Sequence, residues 1–143
     1  MDKIDLSFQA NTQNIDWQDV SSILQTVGMA WHIPEKEKLI FENSQAVIFF
    51  FDAKRLIGFG RAISDTVAQA AIYDIAVKPE YQGKGIGKMI IKKIVEQLPS
   101  CNFILYASPG KEDFYRKLNF SKMKTGMALF VDEERKRERG FIE

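Results

Sequence analysis

A glycine-rich segment in the second half of the chain, residues 72–88, constrains the fold more than any other feature. It begins with Ile72–Val77, a run rich in β-branched and aromatic residues that predicts a strand, and it ends in apolar residues at helical spacing. The loop between them contains three glycines at alternate positions: Gly83, Gly85 and Gly87. Backbone N–H groups of such a loop can approach an anion, and a helix N-terminus adds partial positive charge. The segment therefore predicts a phosphate-binding site between a strand and a helix.

The distribution of charge supports the same site. The chain has 20 basic and 19 acidic residues, a formal net charge of +1, which gives no general attraction to nucleic acid or to an acidic membrane surface. Residues 78–93, however, contain five lysines against Glu80 alone. Lys84 and Lys88 lie beside the glycines and would add full positive charges there. We therefore expect a local anion site, and neither nucleic acid nor a membrane as a partner.

Length and cysteine content indicate one intracellular domain. The 143 residues suit a single domain, 1–143, whose last part, 132–143, is a charged tail. No apolar run approaches the ~20 residues that span a bilayer, and the first residues lack the pattern of a signal peptide. The single Cys101 cannot form an internal disulfide, and one cysteine with one histidine is too few for a structural zinc site. We expect a cytoplasmic protein without a bound metal.

The residue pattern along the chain predicts strands and helices in a mixed order. Alternating or β-branched runs predict strands at Ile4–Phe8, Ala46–Phe51, Leu56–Ile63, Ala70–Val77, Phe103–Tyr106 and Met127–Val131. Helical spacing, capping residues and prolines predict helices from Asp16 to Gly28, from Pro34 to Glu42, from the glycine loop to Leu98, and from Pro109 to Leu118. This order implies a mixed sheet covered by helices, of class α/β or α+β.

Two common phosphate-binding motifs do not fit the glycine loop. A P-loop requires Gly-x-x-x-x-Gly-Lys-Ser/Thr, and the chain contains no such string. The dinucleotide fingerprint Gly-x-Gly-x-x-Gly would need a glycine at Lys88 if it started at Gly83, and at Ile90 if it started at Gly85. Neither a P-loop nor a dinucleotide-binding fold is therefore expected.

The remaining pattern resembles the GNAT superfamily of acyl-CoA-dependent N-acetyltransferases. Gln82, Gly85 and Gly87 match its pyrophosphate motif Gln/Arg-x-x-Gly-x-Gly/Ala, and Phe114–Phe120 is similar to its Phe-Tyr-x-Lys-x-Gly-Phe signature. Asn119 stands where the family has glycine, a mild departure because asparagine also tolerates left-handed backbone geometry. The resemblance covers nearly the whole chain. It implies a mixed, mainly antiparallel central sheet of about six to seven strands, flanked by about four helices.

Part of the resemblance is to serotonin-type arylalkylamine acetyltransferases, in Gly58–Asp65 and Ile72–Gly87. Several of those enzymes have aspartate where this chain has Ser108, shortly before Tyr115. This difference argues against an arylalkylamine substrate.

The resemblance implies acetyl-CoA as the cosubstrate. Backbone N–H groups of the glycine loop would bind the pyrophosphate of CoA: Gln82, Gly83, Lys84, Gly85, Ile86, Gly87 and Lys88. Ile75, Ala76 and Val77 would pair with the pantetheine arm as an added strand, with an N–H near Val77 facing the thioester oxygen. Phe114 would pack against the cofactor or the core. The acceptor would be a primary amine of a small molecule or peptide, and a homodimer is compatible because family members often dimerise through late strands.

The same resemblance implies that Tyr115 is the general acid. A phenol with a pKa of ~10 is protonated at neutral pH and can donate its proton to the leaving thiolate. The alternative is that the ring only packs between helix and sheet. The base stays open between water, Tyr73, Asp74 and His32. Tyr73 and Asp74 are neighbours on one strand, so only one would face the substrate unless a bulge intervenes; we favour Tyr73 there, with water carrying the proton.

The connection between the first two predicted helices contains Trp31 and the chain's one histidine, His32. The resemblance places this connection beside the acceptor pocket, so Trp31, His32 and Tyr73 are the expected substrate contacts. A regulatory module that binds CoA without turnover is the alternative function. Tyr115 at the position of the acid argues against that alternative.

Overall fold

The computed structural model describes residues 3–143, and the chain divides into two compact units, Met1–Leu105 and Tyr106–Glu143. The first unit contains β1 (Leu6–Gln9), α1 (Trp17–Thr26), α2 (Pro34–Glu42), β2 (Ala46–Asp52), β3 (Arg55–Ser64), β4 (Gln69–Val77), a 3₁₀ turn (Pro79–Tyr81), α3 (Ile86–Gln97) and β5 (Asn102–Ile104). The second contains α4 (Glu112–Arg116) and α5 (Glu133–Glu138). No helix within residues 3–143 is both long enough and apolar enough to cross a membrane.

The sheet is mixed and mainly antiparallel, which confirms the predicted fold class. Its five strands follow the order β1-β2-β3-β4-β5, with antiparallel pairs from β1 to β4 and a parallel pair between β4 and β5. The expected count of six to seven strands was too high, because the predicted strand Met127–Val131 is not a strand. Its alternate side chains are fully exposed, at 95% for Met127, 101% for Leu129 and 109% for Val131.

The first two helices begin and end as their residues predict. The side chain of Asp16 accepts a hydrogen bond from the backbone N–H of Gln18 at 3.0 Å and so caps α1. Gly28, just beyond α1, has φ of 77°, a conformation that glycine adopts without strain. Pro34 opens α2, where its fixed φ suits the first helical turn.

Four aromatic side chains form the core between the sheet and the first two helices. The Phe41 ring of α2 lies 5.5 Å from Phe49 and 5.7 Å from Phe59, and Trp17 of α1 lies 5.7 Å from Phe41. Helix α3 packs against β2, β3 and β4. Because neighbouring strand residues face opposite sides, α3 covers the side opposite to Phe59.

The second unit has its own small aromatic cluster. The Tyr106 ring lies 5.6 Å from Phe130 and 5.8 Å from Phe141, both in edge-to-face geometry. The ammonium of Lys136 on α5 lies 5.0 Å from the centre of the Phe130 ring and 4.6 Å from that of Phe141. The tail 132–143 therefore contains a helix held by cation–π contacts, which its alternation of charges does not indicate.

A β-bulge in β4 is the irregularity that shapes the functional end of the sheet. Arg61 pairs with Tyr73 and Phe59 pairs with Ala76, so two residues of β4, Asp74 and Ile75, lie opposite Gly60. Asp74 has φ of 57°, in the left-handed region. Gly60 provides the space, because a Cβ there would collide with the Ile75 side chain and lie 2.8 Å from Cγ2 of Ile90.

Replacing Gly60 with alanine should therefore destabilise the fold by about 1–3 kcal/mol, the usual cost of overpacking a filled core. Urea denaturation measures the change in the free energy of unfolding. Gly126→Ala is the matched control, because a Cβ there would meet its nearest neighbour, Cβ of Met123, at 3.9 Å. Equal free energies of unfolding for the two variants would contradict the packing argument.

Candidate active site

The glycine loop takes the backbone geometry that its glycines predict. Gly83 has φ of 77° and Gly85 has φ of 84°, both in the left-handed region. Gly85 is the N-cap of α3 and has no side chain to cap the helix. A Cβ at either glycine would meet no protein atom within 4 Å. The loop therefore presents its backbone to open space at the start of a helix.

The start of α3 has the properties of an anion-binding site. Met89 donates its N–H to the Gly85 carbonyl at 3.1 Å, so the N–H groups of Ile86, Gly87 and Lys88 precede the first intrahelical bond. The first turn of α3 contains no acidic side chain. Lys84 and Lys88 are exposed beside it. The predicted pyrophosphate residues 82–88 thus lie together, where the helix dipole and the lysines favour a negative charge.

Two hydrogen bonds fix the loop to the sheet. The amide of Gln82 donates to the Val77 carbonyl at 2.9 Å. The buried Tyr81 donates its hydroxyl to a carboxylate oxygen of Asp52 at 2.6 Å. This bond lowers the pKa of Asp52 and raises the pKa of Tyr81. No local sequence pattern marks Tyr81, because its partner lies on a distant strand.

Beside this loop, the last residues of β4 are not paired with β5. The ladder with β5 covers only Gln69–Ala71, so within the first unit β5 does not pair with Ile75–Val77. Lys78 donates its N–H to the Ile57 carbonyl at 2.8 Å. Since hydrogen-bonding groups alternate along an antiparallel strand, the N–H of Val77 faces away from β3, towards this open edge.

The bulge brings Tyr73 and Asp74 to the same guanidinium. Arg61 donates from Nε to Asp74 Oδ2 at 2.7 Å, and its Cζ lies 5.1 Å from the centre of the Tyr73 ring. The bulge interrupts the alternation of the strand, which is the exception under which these two neighbours need not face opposite sides. The Asp74 carboxylate is ion-paired with Arg61, and their side chains are 21% and 13% exposed.

The connection between α1 and α2 is held close to these charges. His32 donates its backbone N–H to Glu37 Oε2 at 2.8 Å, and the Ser21 hydroxyl donates to the His32 carbonyl at 2.8 Å. Burial lowers the pKa of the His32 imidazole; the Lys36 and Arg61 charges lower it further, and the Asp74 charge raises it. Burial also favours the neutral form of the Glu37 carboxyl, and it therefore raises the pKa of Glu37.

In the second unit, Tyr115 lies on α4 among aromatic rings. Its ring centre is 5.0 Å from that of Phe114 and 5.8 Å from that of Phe120. Burial raises the pKa of the Tyr115 phenol, so the hydroxyl keeps its proton at neutral pH. Asn119 has φ of 72°, the left-handed geometry expected where the resembling family has glycine. Tyr115 thus packs against aromatic rings and is also in the protonation state that an acid needs.

Comparison with known proteins decides the family. A family model described as "Acetyltransferase (GNAT) family" matches residues 13–120. The chain belongs to this family. A relative from Porphyra purpurea, "Uncharacterized N-acetyltransferase ycf52", is 33% identical over 135 residues, which cover 88% of this chain and 78% of that protein. The chloroplastic "GCN5-related N-acetyltransferase 1" of Arabidopsis thaliana is 27% identical over 134 residues, covering 89% of this chain and 68% of the relative.

Solved structures show the same fold. A probable acetyltransferase from Staphylococcus aureus superposes with a TM-score of 0.76 at 24% identity, over 89% of this chain and 98% of that one. A GNAT protein from Streptococcus pneumoniae gives a TM-score of 0.75 at 19% identity, over 90% and 99% of the two chains. The GNAT fold predicted from two short motifs is therefore confirmed.

The environment of His32 gives a direct prediction. Because its pKa is lowered, the folded protein favours the neutral imidazole. The preference for a neutral imidazole stabilises the folded protein. This stabilisation is complete above the unperturbed pKa of ~6.5, and it is lost as the pH falls through the lower pKa of the folded state.

The single histidine makes this measurable, since one Cε1–H resonance reports the titration by NMR. We expect its midpoint in the folded protein to lie below that of the same resonance in urea. A folded midpoint at or above the unfolded one would contradict the desolvated environment.

Proposed function

We propose that this GNAT acetyltransferase transfers an acetyl group from acetyl-CoA to a primary amine of a small molecule or peptide, by direct attack of the amine on the thioester. The observation that carries the proposal is the glycine loop, whose left-handed glycines border open space at the start of α3, where the first N–H groups precede the intrahelical bonds. A diphosphate is the ligand that this arrangement of amides and lysines suits best.

The cofactor side of the site uses mainly backbone groups. Residues 82–88 would bind the pyrophosphate of CoA, and the open edge at Ile75–Val77 would pair with its pantetheine arm like an added strand. The N–H of Val77 faces this edge and would donate to the thioester oxygen as negative charge develops there. A donor so placed typically contributes ~3–4 kcal/mol to lowering the barrier. Phe114 would pack beside the cofactor.

The chemical step needs an acid and a route for one proton. The amine nitrogen forms a bond to the acetyl carbon, the C–S bond breaks, and the Tyr115 hydroxyl gives its proton to the leaving thiolate. Water takes the proton of the amine, beside Tyr73 and the neutral His32, and the Tyr115 phenolate regains a proton from water. We assign Asp74 to holding the bulge rather than to proton removal, because its carboxylate is ion-paired with Arg61.

The experiment that tests the proposal is an acetyl-CoA consumption screen across polyamines, arylalkylamines, amino acids, aminoglycosides and peptides with free N-termini. Amine-dependent release of free CoA would support it. If the protein bound CoA and no amine were acetylated, the alternative of a CoA-binding regulatory module would replace the enzyme.

The glycine loop gives a prediction for cofactor affinity. Gly85→Val should raise the Kd for CoA at least about tenfold, because valine is strained at this left-handed φ and adds a side chain beside the loop amides. Isothermal titration calorimetry measures this. Gly28→Val is the matched control, since Gly28 has the same left-handed backbone and a Cβ there also meets no atom within 4 Å. If both variants bound CoA like the parent, the loop would not be the CoA site.

The acid assignment gives a prediction for turnover. Tyr115→Phe should lower kcat about 10²-fold or more, the usual effect of losing a general acid, and leave the KM for acetyl-CoA nearly unchanged. Tyr106→Phe removes a phenol elsewhere in the same unit and should leave kcat close to that of the parent. An unchanged kcat in Tyr115→Phe would leave the tyrosine with only its packing role.

A further inference from the structure

Two buried polar side chains form hydrogen bonds to the backbone of one loop residue, His32. Ser21 of α1 and Glu37 of α2 are each 1% exposed, and no other polar or charged residue among residues 3–143 is so deeply buried. Both bond to the backbone of His32, Ser21 at its carbonyl and Glu37 at its N–H, each at 2.8 Å. Burying a polar group is unfavourable unless a partner satisfies it, so these two contacts fix the place of His32.

The fixed residue lies beside the bulge of β4. The charges of Asp74 and Arg61 reach both the His32 imidazole and the Glu37 carboxyl, as does the charge of Lys36. The same Arg61 pairs with Asp74 and stacks on Tyr73. Trp31, the neighbour of His32 in the chain, is 48% exposed. The buried clamp therefore holds the His32 imidazole within reach of the charges of Arg61 on β3 and Asp74 on β4, the strand along which the thioester would lie.

We propose that Glu37 and Ser21 are positioning residues that hold the backbone of His32, and with it the connection 28–33, as the wall of the acceptor-amine site. This inference rests on the proposed function, since it assigns the acceptor side of the same site. The clamp acts on acceptor affinity and not on CoA affinity, because the glycine loop is anchored separately, through Gln82 and Tyr81.

The test compares three variants in steady-state kinetics, with acetyl-CoA and the amine that the screen finds to be acetylated fastest. Glu37→Ala should raise the KM for that amine about tenfold, the effect of losing one hydrogen bond to a charged acceptor. The KM for acetyl-CoA should stay within about twofold. Glu37→Gln keeps an oxygen for the His32 N–H and should restore the amine KM to near the parent value.

Glu35→Ala is the matched control, because it removes an equally charged but exposed side chain from the same turn of α2. It should change neither KM. Hydrogen exchange of residues 28–33 provides a readout besides activity: exchange should quicken in Glu37→Ala and stay unchanged in Glu35→Ala. If Glu37→Ala does not fold, Ser21→Ala removes the other half of the clamp and should raise the amine KM in the same direction.

Equal increases in the two KM values would show a merely structural role and overturn the proposal. Faster exchange with an unchanged amine KM would also overturn it, because the connection would then be clamped without binding the acceptor. If the parent protein acetylates no amine at all, the proposed function itself fails, and the positioning role fails with it. That result is distinct, because it appears before any variant is made.

Discussion

The bulge in β4 is the constraint on which the candidate site depends. Two residues of β4 lie opposite Gly60, and the Ile75 side chain occupies the space that any larger residue there would fill. The bulge gives Asp74 its left-handed backbone and brings its carboxylate to Arg61. A bulge bends its strand, and the ladder with β5 ends at Ala71, before the bulge. The open edge of β4 and the charged cluster thus occur at one end of one strand.

The sequence predicted those parts of the fold that local chemistry determines. Helix α1, the start of α2 and the left-handed glycines follow from capping residues and backbone freedom, and the structure agrees. The bulge depends on how Gly60 packs against Ile90 of α3, which periodicity does not contain. Residues 127–131 were predicted as a strand and are not one. Their run of apolar residues is typical of a strand, yet a strand also needs a partner strand, and residues 127–131 are not among the five strands of the sheet.

The candidate site divides in the same way. The glycine loop could be found because its function depends on residue type, and Asn119 because few residues adopt its backbone. Glu37 could not be found from the sequence, since an acidic residue in a short charged helix normally faces solvent. Only the packing of α2 buries it. Tyr81 is similar, because its partner Asp52 lies 29 residues away. Residues that act through long-range hydrogen bonds leave no local pattern.

The two sides of the site therefore use different chemistry. The loop at residues 82–88 offers backbone N–H groups, which every amino acid except proline supplies, so apart from excluding proline it constrains sequence only where glycine geometry is required. The proposed acceptor side depends on the Arg61–Asp74 ion pair, where replacing one partner leaves the other charge without compensation, and on the buried Glu37, which accepts from the His32 N–H. Under the proposed function, cofactor binding would tolerate wide sequence change, whereas acceptance of the amine would be sensitive to a few side chains.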